Sequence, residues 1–307
     1  MPTPPRRRRR PRPVLLLLLL LALALPLVAF AAPTLRPFAG NSSLVRIADP
    51  ALDESSGLAA SPTQPGVFWT VEDSDGGPFL HALGTDGAAL GRWLVAGAEN
   101  RDWEDLAAGF APDGTPVLWI ADTGDNAGTR TDAALYRVPE PPVDPAAPAA
   151  GWPTLPAERF PLAFPDGPRD VETLLVHPTT GEVVLVSKGW GAAEVFRVRP
   201  LAGEVALAEP VGRIDPPGWA FFGQATGGAV SPDGSRLALR TYGGLAEWEI
   251  APGQGVAEAL LGEPRAVPAP FIGQGEAVAY GPDGRTLVLS AEGDPAPLVV
   301  VPPPPNT

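Results

Sequence analysis

Glu276-Ala-Val-Ala-Tyr-Gly-Pro-Asp-Gly-Arg-Thr-Leu-Val-Leu-Ser-Ala291 decides the reading of this chain: a polar opening, a short apolar run, a Pro-Asp-Gly turn and a second apolar run. Proline presets φ and glycine accepts φ > 0, so two apolar runs around such a turn make a β-hairpin. The pattern recurs upstream. Further copies open at Glu54-Ser-Ser-Gly-Leu-Ala, Glu104-Asp-Leu-Ala-Ala, Glu172-Thr-Leu-Leu-Val and Thr226-Gly-Gly-Ala-Val. Their turns are Ser61-Pro-Thr-Gln-Pro-Gly, Ala111-Pro-Asp-Gly, His177-Pro-Thr-Thr-Gly and Ser231-Pro-Asp-Gly. Second strands follow at Val67–Val71, Val117–Ala121, Val183–Ser187, Leu237–Thr241 and Leu287–Ala291.

The openings are 50, 68, 54 and 50 residues apart, which leaves room for two more strands per repeat. Third strands are predicted at Phe79–Leu83, Ala134–Val138, Glu194–Arg199, Leu245–Ile250 and Leu298–Val301, and fourth strands at Arg92–Val95, Arg159–Phe164, Val205–Ile214 and Ala259–Val267. The fifth repeat lacks a fourth strand, and Ser43–Ala48 can supply it and close the ring, which removes exposed edges. The chain is therefore read as all-β, a single β-propeller over residues 43–301 with five blades. Six blades is the alternative, because the second interval is long. Its insert, Glu140–Pro156, is read as a loop for want of β-branched alternation.

The N-terminus follows another logic. Arg6–Arg10 and Arg12 precede the apolar run Val14–Phe30, the pattern of a secretion signal. Ala29-Phe30-Ala31 provides small residues for cleavage after Ala31, giving a signal peptide of residues 1–31 and a linker of 32–42. The run is interrupted by Pro26 and falls short of the ~20 residues that span a bilayer, so no stable membrane insertion is expected after cleavage. The mature protein is read as secreted or extracytoplasmic, and monomeric. Residues 302–307 are a proline-rich tail.

Without any cysteine, the chain carries no lipid anchor on cysteine and no disulfide. Removing residues 1–31 takes away six arginines and no acid, leaving 16 basic and 35 acidic residues, a net charge of −19. Such a surface repels nucleic acid and anionic membranes and favours cations.

In a propeller, first strands line the central channel, so the openings are expected to bring Glu54, Glu104, Glu172 and Glu276 to one level, with Thr226 in the fifth place. Carboxylates so placed must protonate, find basic partners or bind a cation. Loops after the second strands reach the same face. They add Glu72, Asp73, Asp75, Asp122, Asp125, Asn126 and Glu292 from three repeats, and Lys188 and Arg240 from the other two. The candidate metal ligands are Asp73, Asp75, Asp102, Glu104, Asp122, Asp125, Asn126 and Glu172, an oxygen set suited to Ca²⁺. Zinc fits worse: there is no cysteine, and His81 and His177 fall on a third strand and a far-side turn. Plainer readings stand beside these. Asp113, Asp233 and Asp283 read as turn formers. Asp73, Asp75, Asp122 and Asp125 read equally as loop-tightening residues, Glu172 as a partner of Lys188, and Trp69, Trp103, Trp119, Trp190, Trp219 and Trp248 as blade packing.

Glu54-Ser-Ser-Gly-Leu, Asp102-Trp-Glu-Asp-Leu, Asp122-Thr-Gly-Asp-Asn with Arg130, Pro165-Asp-Gly-Pro-Arg-Asp-Val-Glu172, Leu239-Arg-Thr-Tyr242 and Gln274-Gly-Glu-Ala-Val-Ala279 occur in this order. Through these segments, over residues 50–293, the chain resembles a largely uncharacterised family of exported bacterial β-propeller proteins. More remotely it is similar to gluconolactonase-like, phytase-like and esterase-like propellers, although it departs from the phytases in lacking their basic cluster. The resemblance implies a propeller and a calcium-binding face. Two functions follow as expectations. One is a module that binds a small-molecule or protein ligand on that face, with Arg130, Lys188 and Arg240 among the contacts. The other is a calcium-dependent hydrolase of phosphoesters or lactones, with Glu104 or Glu172 as base.

Overall fold

The computed structural model describes residues 42–74, 76–148, 151–189, 191–216 and 223–303, within a compact unit spanning Phe38–Thr307. The signal segment 1–31, most of the linker, Asp75, Trp190, Trp219 and the end of the tail lie outside the described residues.

Among the described residues, strand makes up about 48% and helix 2%. After β1 (Ser43–Arg46), strands β2 (Ser55–Ala60), β3 (Val67–Glu72), β4 (Phe79–Gly84) and β5 (Ala89–Ala96) form an antiparallel meander. Next come β6 (Trp103–Phe110), β7 (Pro116–Asp122), β8 (Ala134–Pro139), β9 (Thr154–Pro156) and β10 (Glu158–Ala163). Strands β6, β7, β8 and β10 make the second four-stranded unit, while β9 adds in parallel to the outer edge of the first. The third consists of β11 (Val171–Val176), β12 (Val183–Ser187), β13 (Ala193–Val198) and β14 (Ala206–Ile214), and two parallel pairs join β14 to β10. The fourth consists of β15 (Ala225–Val230), β16 (Arg236–Thr241), β17 (Gly244–Glu249) and the short β18 (Arg265–Ala266). In the last, β19 (Gly275–Tyr280), β20 (Leu287–Ala291) and β21 (Pro297–Val301) are completed by β1, with Ser43 opposite Val300 and Arg46 opposite Pro297. Each is an antiparallel sheet of the kind that makes a propeller blade.

The Pro-Asp-Gly turns reverse the chain between first and second strands. Gly114, Gly234 and Gly284 sit at φ of 85°, 71° and 63°, a region costly for residues with a Cβ. Asp113, Asp233 and Asp283 act as turn formers, each accepting a backbone N–H within its own turn.

Packing between sheets gives the core. Strands β2, β6, β11, β15 and β19 neighbour one another in that order, and β19 returns to β2. Five apolar clusters fill the gaps between consecutive sheets. One joins Trp69 and Trp93 of the first sheet to Trp103 and Tyr136 of the second, and another joins Leu58 and Phe68 to Ala277 and Leu298. Each buried leucine contributes about 1.5–3 kcal/mol. Trp69, Trp103, Trp119 and Trp248 are buried, in keeping with a packing role.

One predicted strand is corrected. Ala259–Val267 is not continuous strand: helix α1 (Val256–Leu260) precedes the two-residue β18. Alanine, glutamate and leucine favour helix, and Val256, Ala257, Ala259 and Leu260 bury themselves against the third and fourth sheets.

Candidate functional site

Each of β2, β6, β11, β15 and β19 carries a β-bulge at its first turn of pairing. The registers jump between Ser55 and Gly57, Trp103 and Asp105, Val171 and Thr173, Ala225 and Gly227, and Gly275 and Ala277. The extra residues are Ser56, Glu104, Glu172, Thr226 and Glu276, and bulges re-aim side chains in this way. The ring of equivalent positions therefore holds three glutamates, not four. Glu54 lies two residues upstream of its expected place, near enough to Glu292 to add its charge to the burial that raises the latter's pKa. Ser56 occupies the ring instead and donates to the Glu104 carbonyl at 2.6 Å; Thr226 donates to the Gly275 carbonyl at 2.8 Å. Ser56, Glu172, Thr226 and Glu276 stand six residues before a turn proline, but Glu104 stands eight before Pro112, as Glu54 does before Pro62, so the spacing alone does not separate Ser56 from Glu54.

Two carboxylate groups gather around the ring. Asp73, Asp102 and Glu104 present oxygens within 4.8 Å of one another, as do Glu104, Asp170 and Glu172. Glu104 belongs to both and is 5% exposed. Gly124 makes room for it: a Cβ there would overlap the Glu104 and Asp102 carboxylates. Burial first, then the charges of Glu172, Asp73 and Asp102, push the Glu104 carboxyl well above the usual range. Burial and then Asp73 lift Asp102 to about 7. Glu172 also rises to about 7, burial outweighing the favourable charge of Lys188. Burial, reinforced by Glu172 and Glu292, takes Glu276 to about 8. Near neutrality these acids hold protons that a divalent cation would displace. Asp170 was not singled out as a ligand from sequence; its only signal was its place two residues before Glu172.

The bases behave unequally. Lys188 Nζ lies 2.6 Å from Glu172 Oε1, and burial of the ammonium is outweighed by that carboxylate, which raises its pKa. Arg130 bonds Asp122 at 2.8 Å and the Gly124 carbonyl at 2.7 Å, so it braces the loop instead of facing the ring. Asp122 is correspondingly occupied by Arg130 and the Asp102 N–H. Asp125 spends its oxygens on the N–H groups of Thr129 and Arg130, a loop-tightening role. Asn126 is exposed, with its oxygen 3.5 Å from Lys188 Nζ. Arg240 is not equivalent to Lys188. It pairs with Gly227 within the β15–β16 ladder, and Tyr242 takes the Lys188 position, its ring 5.9 Å from Nζ.

Both described histidines lie apart from these acids. His81 Nδ1 meets Asp49 at 2.9 Å, and His177 Nδ1 accepts the N–H groups of Thr179 and Thr180.

No protein-family model matches the chain, and no curated protein matches it in sequence. Among solved structures it is similar to a gluconolactonase of Xanthomonas campestris, with 14% identity and a TM-score of 0.42 over 86% of this chain and 91% of that one. It is also similar to a proposed gluconolactonase, with 15% identity and a TM-score of 0.42 over 87% and 96% of the two chains. Likeness of this degree carries no argument about chemistry, which is drawn from the residues alone.

Proposed function

We propose that this chain is an exported five-bladed β-propeller whose acidic face binds calcium and, beside it, a small-molecule or protein ligand outside the cytoplasm. Five blades are supported by the closed cycle of first strands and by the five apolar clusters between consecutive sheets. The observation that carries the cation reading is the pair of carboxylate clusters sharing the buried Glu104. Asp73, Asp102, Glu104, Asp170 and Glu172 supply oxygen alone, the donor set of a hard cation. Calcium added to chelator-treated protein should raise Tm saturably, because a ligand bound only by the folded state stabilises it. Glu104→Gln combined with Glu172→Gln should abolish the rise; an undiminished rise in the double variant would refute this site. Export is tested by N-terminal sequencing of the protein recovered outside the cytoplasm. The expected first residue is Ala32, whereas an intact Val14–Phe30 run contradicts cleavage.

A calcium-dependent hydrolase is the second reading, favoured by carboxyls titrating near 7 beside a candidate metal position. With Glu172 held by Lys188, Glu104 is the base in this scheme. Calcium-dependent cleavage of an aryl phosphate or a δ-lactone, lost in Glu104→Gln, is its signature.

A further inference from the structure

Among the described residues, Arg240 differs from Lys188 and Arg130 in having no ion-pair partner. It is 3% exposed, yet its Nε is buried without a hydrogen bond. The guanidinium makes no ion pair among the described residues, while Lys188 and Arg130 are each engaged by a carboxylate. Its group lies over Gly275, where a Cβ would collide with it, one residue before the ring position Glu276. Glu276 is the acid that acts on it electrostatically, but that carboxyl holds its proton up to about pH 8, which leaves the guanidinium charge largely uncompensated near neutrality. A desolvated cation without a counter-ion is a standing cost to the fold. The location matters too. Arg240 sits where β15 meets β19, across the cycle of first strands from β6, which carries Glu104.

We infer that Arg240 anchors an oxyanion subsite: the ligand of this face carries a carboxylate or phosphate group that docks on its guanidinium, opposite the carboxylate clusters. A planar guanidinium matches either group bidentately. The inference rests on the face being a ligand site, not on its cation site being filled.

The test is thermal melting of the full chain in chelator with acetate and, separately, with methyl phosphate, for wild type and Arg240→Met. A saturable rise with either ion is expected in wild type, the lower half-saturation naming the preferred group. In Arg240→Met the rise should shrink at least tenfold, while Tm without anion equals or exceeds that of wild type, since an unpaired buried charge has been removed. No saturable rise in wild type, an equal rise in the variant, or a lower anion-free Tm in a folded variant overturns the inference. Should Arg240→Met not fold, Glu276→Gln decides at pH 9, where Glu276 is ionised and competes for the guanidinium: the variant's anion half-saturation should lie several-fold below that of wild type at that pH, and an unchanged or higher value overturns the inference. A parallel calcium titration separates the two readings. An anion response without a calcium response leaves the subsite standing and removes the cation site, and the converse removes the subsite alone.

Discussion

Asp105 shows how much one side chain can hold. It is fully buried. One oxygen accepts the Leu174 N–H at 2.8 Å and the Gly228 N–H at 3.1 Å, and the other its neighbour Leu106 at 2.8 Å. It thus ties β6 to β11 and β15, in space kept by small residues: a Cβ on Gly57 would meet the Leu106 amide. Burial lifts its pKa well above the usual range, against the pull of the three N–H donors. Asp105→Ala would strand the amides of Leu174 and Gly228, and should cost about 2–5 kcal/mol. Asp105→Asn, which keeps an acceptor, should cost less, and denaturant titration of both variants checks the order. Strand alternation alone puts Glu104 and Asp105 on opposite faces. The bulge breaks that alternation, so the role of Asp105 was invisible in sequence although the residue itself stood in a quoted motif.

Elements were more legible than their decorations. All five hairpins were readable because each turn pairs a proline with a later glycine, with Asp between them in three, and these residues restrict φ locally. The closing strand β1 was readable because the last repeat left an edge without a partner. The insert Glu140–Pro156 was read as a loop, and the structure corrects its end: Thr154–Pro156 form β9, paired in parallel with β5, too short a strand to show in the sequence pattern. Glu140 anchors the insert to the first sheet, accepting the Trp69 Nε1–H at 2.9 Å and the hydroxyls of Thr63 and Ser61. Glu140→Ala should destabilise by about 2–3 kcal/mol, since Trp69 loses a partly buried acceptor. Limited proteolysis should then cut between residues 140 and 153 sooner than in wild type. Helix α1 was missed because its stabilising partners are distant in sequence: the Val256 N–H donates to Glu182 at 2.7 Å.

At the scale of the whole molecule, the acidic face links stability to pH. Asp102 and Glu172 titrate near 7 and Glu276 near 8 in the fold, against about 4 in an unfolded chain. Between those values the native state holds protons that the unfolded chain has released. Their stabilising effect is complete below about pH 4 and is lost as pH rises through 7 to 8. In chelator, Tm should therefore fall between pH 5 and pH 8, and calcium should remove most of the fall. A flat profile would show the carboxylates to be compensated by other groups. By itself the sequence determined the repeat, the hairpins, the ring closure and the acidity of one face, because each follows from local φ preference, apolar periodicity or charge count. Only the tertiary structure decided that Ser56 replaces Glu54 in the ring, that Asp170 joins Glu104 and Glu172, and that Arg240 has no ion pair among the described residues. Those depend on bulge register and on which side chains of separate strands converge, and no local interaction encodes either.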